Sequence, residues 1–176
     1  MDSTSASGLV LLVFAACIFI YGAALRCGLV RLRDQNNRLG ARLDALLKQR
    51  YEKILELLAL LPSDLSPERK LLAEANDAVA SATTIRQKAE ADLQLTEGLQ
   101  ILFESEDKNR RLASSETYLT LRNHLAALQT QIADHREVFN GDIRSYNTRI
   151  GQFPDTFVAS IMGMRRRQRF EASQRK

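Results

Sequence analysis

The residues that could do chemistry in this chain are few and widely separated. His124 and His135 are eleven positions apart, and on one helix that spacing separates them by roughly 16 Å, too far to share a metal ion. No Glu-x-x-His motif or cysteine accompanies them. His135 falls in an apolar stripe, where a hydrogen-bonded core histidine is commoner than a metal ligand, and His124 is expected in solvent. We therefore expect no metal ion and no other cofactor.

The sequence also lacks the usual arrangements of catalytic side chains. Its Asp and Glu residues are scattered over polar helix faces, without a pair whose surroundings would separate two pKa values. Its glycines form no phosphate-binding loop and no Gly-x-Ser-x-Gly elbow. Cys17 and Cys27 are ten positions apart, roughly 15 Å on one helix, which excludes a disulfide between them. We expect a protein that is not an enzyme and binds no small molecule.

Two aromatic-asparagine pairs are the most distinctive polar feature of the chain. The pairs Phe139-Asn140 and Tyr146-Asn147 are seven positions apart, so both amides stand on one helix face beside the apolar stripe. Hydrogen bonds that fix the register of a neighbouring helix are the commoner use of such residues, and we favour them. The alternative is a peptide-binding groove lined by the two amides. Arg136, one turn earlier, either pairs with a carboxylate of an adjacent helix or stays solvated, which we favour.

Two basic clusters could bind anionic partners. The first cluster lies in a polar loop and consists of Lys108, Arg110 and Arg111, and the second lies in the C-terminal tail and consists of Arg165, Arg166, Arg167 and Arg169. In the tail only Phe170 could stack on a base, and no recognition motif precedes it, so a nucleic acid is not expected as a specific partner. Anionic lipid headgroups, at about 1 kcal/mol per basic residue, are the competing partner.

An apolar run near the N-terminus relates these features to a membrane. Residues 8–25 carry no charge and span roughly 27 Å as a helix, enough to cross a bilayer. The anchor positions are Gly8, Leu12, Phe14, Ile18, Tyr21 and Leu25. The run is too long for a cleavable signal and has no basic residue before it, which also argues against lipidation at Cys17. Because every Lys and Arg follows the run, we expect a single-pass protein of the cell membrane with its N-terminus outside and the rest cytoplasmic.

Apolar residues at spacings of three and four predict an all-α fold after the span, with no strand-like alternation. The first stripe continues from the span to Leu61. A second helix begins at Ser66, with Pro67 at its first position, and the segment that follows extends to Glu104. The buried positions predicted in this part are Leu71, Leu72, Ala75, Val79, Leu93, Leu99, Leu102 and Phe103. The last stripe runs from Tyr118 to Phe153, before Pro154.

The middle of the chain allows two topologies. Thr83, Thr84 and Ile85 weaken helix propensity without a Pro or Gly that would end a helix. If the helix continues, three long antiparallel helices result, which we favour, and the tail lies at the end of the bundle away from the membrane. If it breaks, a four-helix up-and-down bundle returns the tail to the membrane. In either case the expected organisation is an external residue stretch 1–7, a span 8–25, a bundle 26–153 and a segment 154–176.

Several short motifs together resemble the LemA family. They are Leu29-Val30-Arg31-Leu32-Arg33 after the span, Lys48 to Ile54 with Tyr51 at its centre, Arg136, the two aromatic-asparagine pairs, and Phe153-Pro154. The resemblance covers essentially the whole chain. It implies a single-pass bacterial membrane protein with a cytoplasmic helical bundle and no established biochemical activity.

Three classes of function are compatible with these features. The one we favour is a membrane-anchored scaffold or adaptor that presents its bundle to a protein partner, because the chain has an anchor and long helices but no catalytic arrangement. The second is an enzyme or metal site inside the bundle, which would need inward-facing carboxylates that the stripes do not contain. The third is a tether that binds anionic lipid or nucleic acid through the basic loop or tail.

Overall fold

The computed structural model describes residues 3–61, 66–106 and 114–172, and the regular secondary structure within these ranges is α-helix. These ranges contain five helices: α1 Ser3–Leu60, α2 Ser66–Ser81, α3 Ile85–Glu106, α4 Glu116–Arg149 and α5 Asp155–Ile161. The all-α prediction is confirmed. By contact clustering the chain forms two compact units, one of Met1–Arg38 and Asp142–Arg167, the other of Leu39–Gly141 and Gln168–Lys176.

Helix α1 is unbroken over 58 residues, from the apolar run into the polar sequence after it. It is the one helix in the described ranges that is long and apolar enough to cross a membrane, and none of its most apolar stretch is buried. The predicted anchor positions from Leu12 to Tyr21 are all exposed, as are the free thiols of Cys17 and Cys27. Some N-terminal signal sequences also meet this criterion of length and hydropathy, so α1 is described as a candidate span.

The second unit has a core to which four helical segments contribute. The members from the end of α1 are Ile54, Leu57, Leu58 and Leu61; those from α2 and α3 are Leu72, Ala75, Leu95, Leu99 and Leu102; and those from α4 are Tyr118, Leu121 and Leu125. Each set recurs at spacings of three or four, as expected for one buried face of each helix. The four-helix alternative is therefore the arrangement observed in this unit.

The favoured three-helix topology is wrong, because the chain turns between α2 and α3. Thr84 and Gln87 form a reciprocal capping box: the Thr84 hydroxyl oxygen accepts from the Gln87 backbone N–H at 3.2 Å, and the Gln87 side-chain oxygen accepts from the Thr84 N–H at 3.0 Å. This pairing starts a new helix at Ile85. The two helices then pack closely enough that a Cβ placed on Gly98 would lie 3.5 Å from Leu72 Cδ1.

Two residues predicted to be buried in this hairpin face solvent. Leu71 and Leu93 are exposed, whereas Leu72 and Leu95 are buried in the core. Because α2 and α3 each present only one stripe to the core, residues one or two positions away from a buried leucine can face outward, as Leu71 and Leu93 do. Of the other predicted core positions, Leu72, Ala75, Leu99 and Leu102 are buried as expected, and Val79 and Phe103 are partly buried against the core.

In the first unit, helix α5 packs against α1 and the end of α4. Leu29, Tyr146, Ile150 and Ala159 form a buried cluster, and Leu32, Val158 and Met164 pack against it. The predicted stripe of α4 is buried through Ile150, but Phe153 is 87% exposed, contrary to prediction. Helix α4 ends at Arg149, so Phe153 no longer follows the helical spacing that would have turned it inward.

Candidate functional site

A buried ion pair lies in the core of the second unit. Arg50 Nη1 donates to Asp92 Oδ1 at 2.6 Å and Nη2 donates to Thr96 Oγ1 at 3.1 Å. Both side chains of the ion pair are almost fully buried. The sequence interpretation missed this pair, although Arg50 falls between Leu47 and Ile54 at the spacings of the core stripe.

Burial dominates the electrostatics of this pair. Burial raises the pKa of the Asp92 carboxyl, and the positive charges of Arg50 and Arg136 counteract part of that rise. Burial also lowers the pKa of the Arg50 guanidinium, which nonetheless stays protonated because its ordinary value is so high. Sealed from solvent, the pair links α1 to α3 and offers no surface to a substrate.

In the first unit, Asn147 holds a segment of the C-terminal tail by its backbone. Its side-chain Nδ2 donates to the Arg167 carbonyl at 2.8 Å, and its Oδ1 accepts from the Arg167 N–H at 2.8 Å. The Tyr146 hydroxyl donates to the Arg165 carbonyl at 3.3 Å, and the Arg167 guanidinium lies over the Tyr146 ring, 5.5 Å from its centre. The predicted pair Tyr146-Asn147 thus acts together on one stretch of tail.

In the second unit, Asn140 makes the same two-point contact. It donates to the Phe170 carbonyl at 3.1 Å and accepts from the Phe170 N–H at 2.7 Å. The Phe170 ring is 2% exposed, so it cannot stack on a base, and the nucleic-acid interpretation of the tail loses its aromatic contact. Phe139 is buried, and its ring lies 3.5 Å from the position of a Cβ on Gly40.

The favoured interpretation was that the two amides fix the register of a neighbouring helix. In the structure they bind the backbone of the C-terminal tail instead. An asparagine amide carries a donor and an acceptor side by side, and these match the C=O and N–H of one residue in an extended chain. The open alternative, recognition of an extended peptide, has the right chemistry, but the peptide is the chain's own tail. Of the other motif residues, Tyr51 is half-buried, and Arg136 is exposed, as the favoured interpretation required.

The basic clusters do not form one uniform surface. Arg165 and Arg166 are exposed, Arg167 is half-buried beside Tyr146, and Arg169 pairs with Glu171 at 3.2 Å. Lys108, Arg110 and Arg111 lie outside the described residues. Within the described ranges, Arg165 and Arg166 are thus the neighbouring tail arginines that are exposed and outside these contacts, and both belong to the first unit.

Helix α5 presents an apolar face to solvent. Its inner side carries Val158 and Ala159 against the buried cluster, and Asp155, also buried, accepts from Arg149 Nε at 2.7 Å. On the outer side Phe157 is 67% and Ile161 73% exposed, and Phe153 just before the helix is more exposed still. The three-helix topology favoured from the sequence places the residues after Pro154 at the end of the bundle away from the span. The structure contradicts that placement, because α5 packs on Leu29, four residues after the apolar run.

Neither histidine takes part in the ion pair, the asparagine contacts or the apolar face of α5. His124 is exposed, as predicted, with its Nε2 3.4 Å from Gln49 Nε2, and His135 is half-buried in the α4 stripe. Across the described residues, His, Cys, Asp and Glu nowhere group in threes in a way that could hold a metal ion.

Comparison with known proteins identifies the family. No curated protein matches the chain. The family model described as LemA family matches residues 40–176, which begin after the apolar run and include both asparagine pairs, α5 and the tail. Because the match covers most of the sequence, the chain belongs to the LemA family.

Proposed function

We propose that this protein is a non-enzymatic adaptor, anchored in the bacterial cell membrane by the first part of α1, that presents its helical bundle in the cytoplasm to a protein partner. The observation that carries the proposal is the change in burial of the apolar side chains along α1. Its apolar side chains from Leu9 to Tyr21 are exposed, whereas positions from Leu43 to Leu58 contribute to a packed core. A long exposed apolar stretch is costly in water and favourable in a bilayer.

The orientation follows from charge. No Lys or Arg precedes the apolar stretch, and Arg26, Arg31 and Arg33 follow it directly. The positive-inside rule then places the bundle in the cytoplasm. The buried ion pair and the asparagine contacts join parts of the chain to one another, so the proposal assigns them to structure and leaves the outer surface of the bundle for the partner.

An open groove in the second unit is the surface we propose for that partner. It is lined mainly by apolar area between the end of α1 and the start of α4, and its residues are Lys53, Glu56, Ala59, Leu60, Glu116, Thr117, Thr120, Leu121 and His124. Leu60 is 42% exposed there. Apolar floors with charged rims are typical of surfaces that bind an amphipathic helix.

Site-specific photo-crosslinking in living cells tests this proposal. The full-length chain carries p-benzoylphenylalanine at Thr120, which is exposed in the groove, or at Thr130, which is equally exposed on the same helix but outside it. We expect a discrete protein adduct from position 120 that is lost in Leu60→Asp, and none from position 130. Equal adducts from both positions, or none from either, would contradict the groove as the partner surface.

A further inference from the structure

The outer face of α5 is an apolar patch with no partner in the described structure. Phe153, Phe157 and Ile161 are each at least two-thirds exposed, and Phe157 and Ile161 are four residues apart on one helix face. Isolated exposed apolar residues are common on proteins, but three large ones together mark a surface that meets a partner or a membrane.

The patch is located beside the point where α1 leaves its apolar run. Leu29, which packs with α5, follows Leu25 by four residues, or about 6 Å along a helix. Arg149, at the end of α4, lies so close to α1 that a Cβ on Gly28 would be 2.9 Å from its Nη2. If the run crosses the bilayer, this depth is that of the lipid headgroups and the first acyl carbons.

The charges around the patch suit an anionic leaflet. Arg165 and Arg166 follow α5 and are exposed, and the Arg166 guanidinium lies near Gly151, where a Cβ would be 3.5 Å from its Nη2. The acid within α5, Asp155, is buried and paired with Arg149, so it adds no free negative charge at the surface. Apolar side chains flanked by arginines are the composition of segments that lie in the membrane interface.

We propose that Phe153, Phe157 and Ile161 insert into the headgroup-acyl boundary of the leaflet from which α1 emerges, while Arg165 and Arg166 contact anionic headgroups. The inference rests on the proposed membrane anchoring of α1. The exposed rings bury their apolar area about 5–10 Å into the interface. The protein thereby contacts the membrane at two places, the span in α1 and the outer face of α5.

The absence of tryptophan from the chain makes a direct test simple. Single tryptophans are placed in the full-length protein at Phe157, at Leu12 in the apolar run, and at Leu93, an exposed apolar position of the second unit. The variants are reconstituted in vesicles of phosphatidylcholine and phosphatidylglycerol, with or without lipids brominated near the glycerol end or deep in the acyl chains. All three positions are exposed, so the fold should tolerate each change.

We expect Phe157→Trp to be quenched strongly by the shallow bromines, Leu12→Trp by the deep ones, and Leu93→Trp by neither. Quenching of Phe157→Trp no stronger than that of Leu93→Trp, with Leu12→Trp quenched, would overturn the interfacial role of α5 alone. Absence of quenching at Leu12 would instead overturn the anchoring.

The arginines are tested in the Phe157→Trp background. Replacing phosphatidylglycerol by phosphatidylcholine, or combining Arg165→Gln with Arg166→Gln, should weaken the shallow quenching to a similar extent. Matched control substitutions are Arg26→Gln and Arg33→Gln, basic and exposed on α1 but outside the patch. If the tail arginines can be neutralised with no loss of quenching in anionic vesicles, their contact with the headgroups is refuted.

Discussion

Arg50 occupies a helix position where the spacing of the core favours an apolar side chain. Taking two charges out of water costs several kcal/mol for each ion, and the contact with Asp92 repays that cost only because the geometry is close and Thr96 accepts a further hydrogen bond. Arg50 Nε still has no partner within the described residues. The pair is therefore expected to specify how α1 meets α3 more than to add net stability.

Removing one member of this pair should cost far more than removing both. Arg50→Met leaves a carboxylate buried alone and should lower the free energy of unfolding by about 3–5 kcal/mol, whereas Arg50→Met with Asp92→Leu should recover most of that loss. Urea unfolding of the detergent-solubilised full chain, followed by circular dichroism, measures both. Lys70→Met, which breaks an exposed pair with Glu74, is the matched control and should change stability by less than about 1 kcal/mol. Equal losses in the single and double variants would argue against this account.

A half-buried carboxyl gives the first unit a pH dependence. Asp142 accepts from Gln35 Nε2 at 2.8 Å through one oxygen, while its other oxygen is buried without a partner in the described structure. Burial raises the pKa of Asp142 above its ordinary value of 3.8. The folded state thus binds this proton more tightly than the unfolded state, so the contribution to stability grows as the pH falls from the raised value towards 3.8.

Asp142→Asn should remove that dependence. The amide keeps an acceptor for Gln35 and carries no charge to desolvate, so the variant should be more stable than the parent at neutral pH. The difference should shrink as the pH approaches 3.8, where the parent's carboxyl is protonated in the folded state. Melting temperatures across this range measure the effect, with Asp134→Asn, an exposed position on the same helix, as control. A constant difference at all pH values would contradict it.

At the scale of elements, the turn between α2 and α3 and the path of the tail depend on short polar contacts. The capping box at Thr84 is visible in the sequence as the pattern Thr-x-x-Gln. It is stronger evidence for the start of a new helix than the weak helix propensity of the β-branched residues Thr83, Thr84 and Ile85. The tail leaves no comparable pattern. Asn140 and Asn147 bind backbone groups, which every residue except proline carries, so the sequence of the tail does not reveal its partners.

Asn147→Ala should release the tail without unfolding the protein. The change removes two hydrogen bonds, worth about 1–3 kcal/mol together, from a segment that water can solvate. Amide hydrogen exchange at Arg167 should therefore accelerate about tenfold or more, while exchange within the α2–α3 hairpin stays unchanged. Thr148→Ala, at the exposed neighbouring position, is the control. Unchanged exchange at Arg167 would show that the tail is held by other contacts.

For the whole molecule, the sequence predicted the helical class, most of the buried stripes and the family, because these follow from periodic burial and from local motifs. It left the turn at Thr84 as the less favoured of two alternatives, and it did not predict the charged pair in the core or the packing of α5 on Leu29. A stripe shows which side of a helix is buried but not what covers it. Phe153 illustrates the limit: its spacing from Ile150 fits the stripe, yet α4 ends before it.

The proposed topology is tested on the intact chain. Because basic residues follow the apolar run and none precedes it, a C-terminal alkaline phosphatase fusion should be inactive and a C-terminal green fluorescent protein fusion should be bright. Adding several lysines before residue 8 should reduce that asymmetry and serves as the control for charge. Phosphatase activity from the unmodified chain would reverse the assignment.

The unbroken course of α1 also makes the native cysteines a ready-made pair of chemical reporters. Cys17 lies within the apolar run and Cys27 two residues beyond it, both thiols are exposed, and the helix holds them roughly 15 Å apart. If the run spans a bilayer as proposed, the lipid shields Cys17 from a water-soluble alkylating reagent, whereas Cys27 lies beyond the run and is accessible to it. Selective alkylation of the unaltered protein would therefore deliver a fluorophore or spin label to Cys27 alone, at the level of α5, without engineering a single residue.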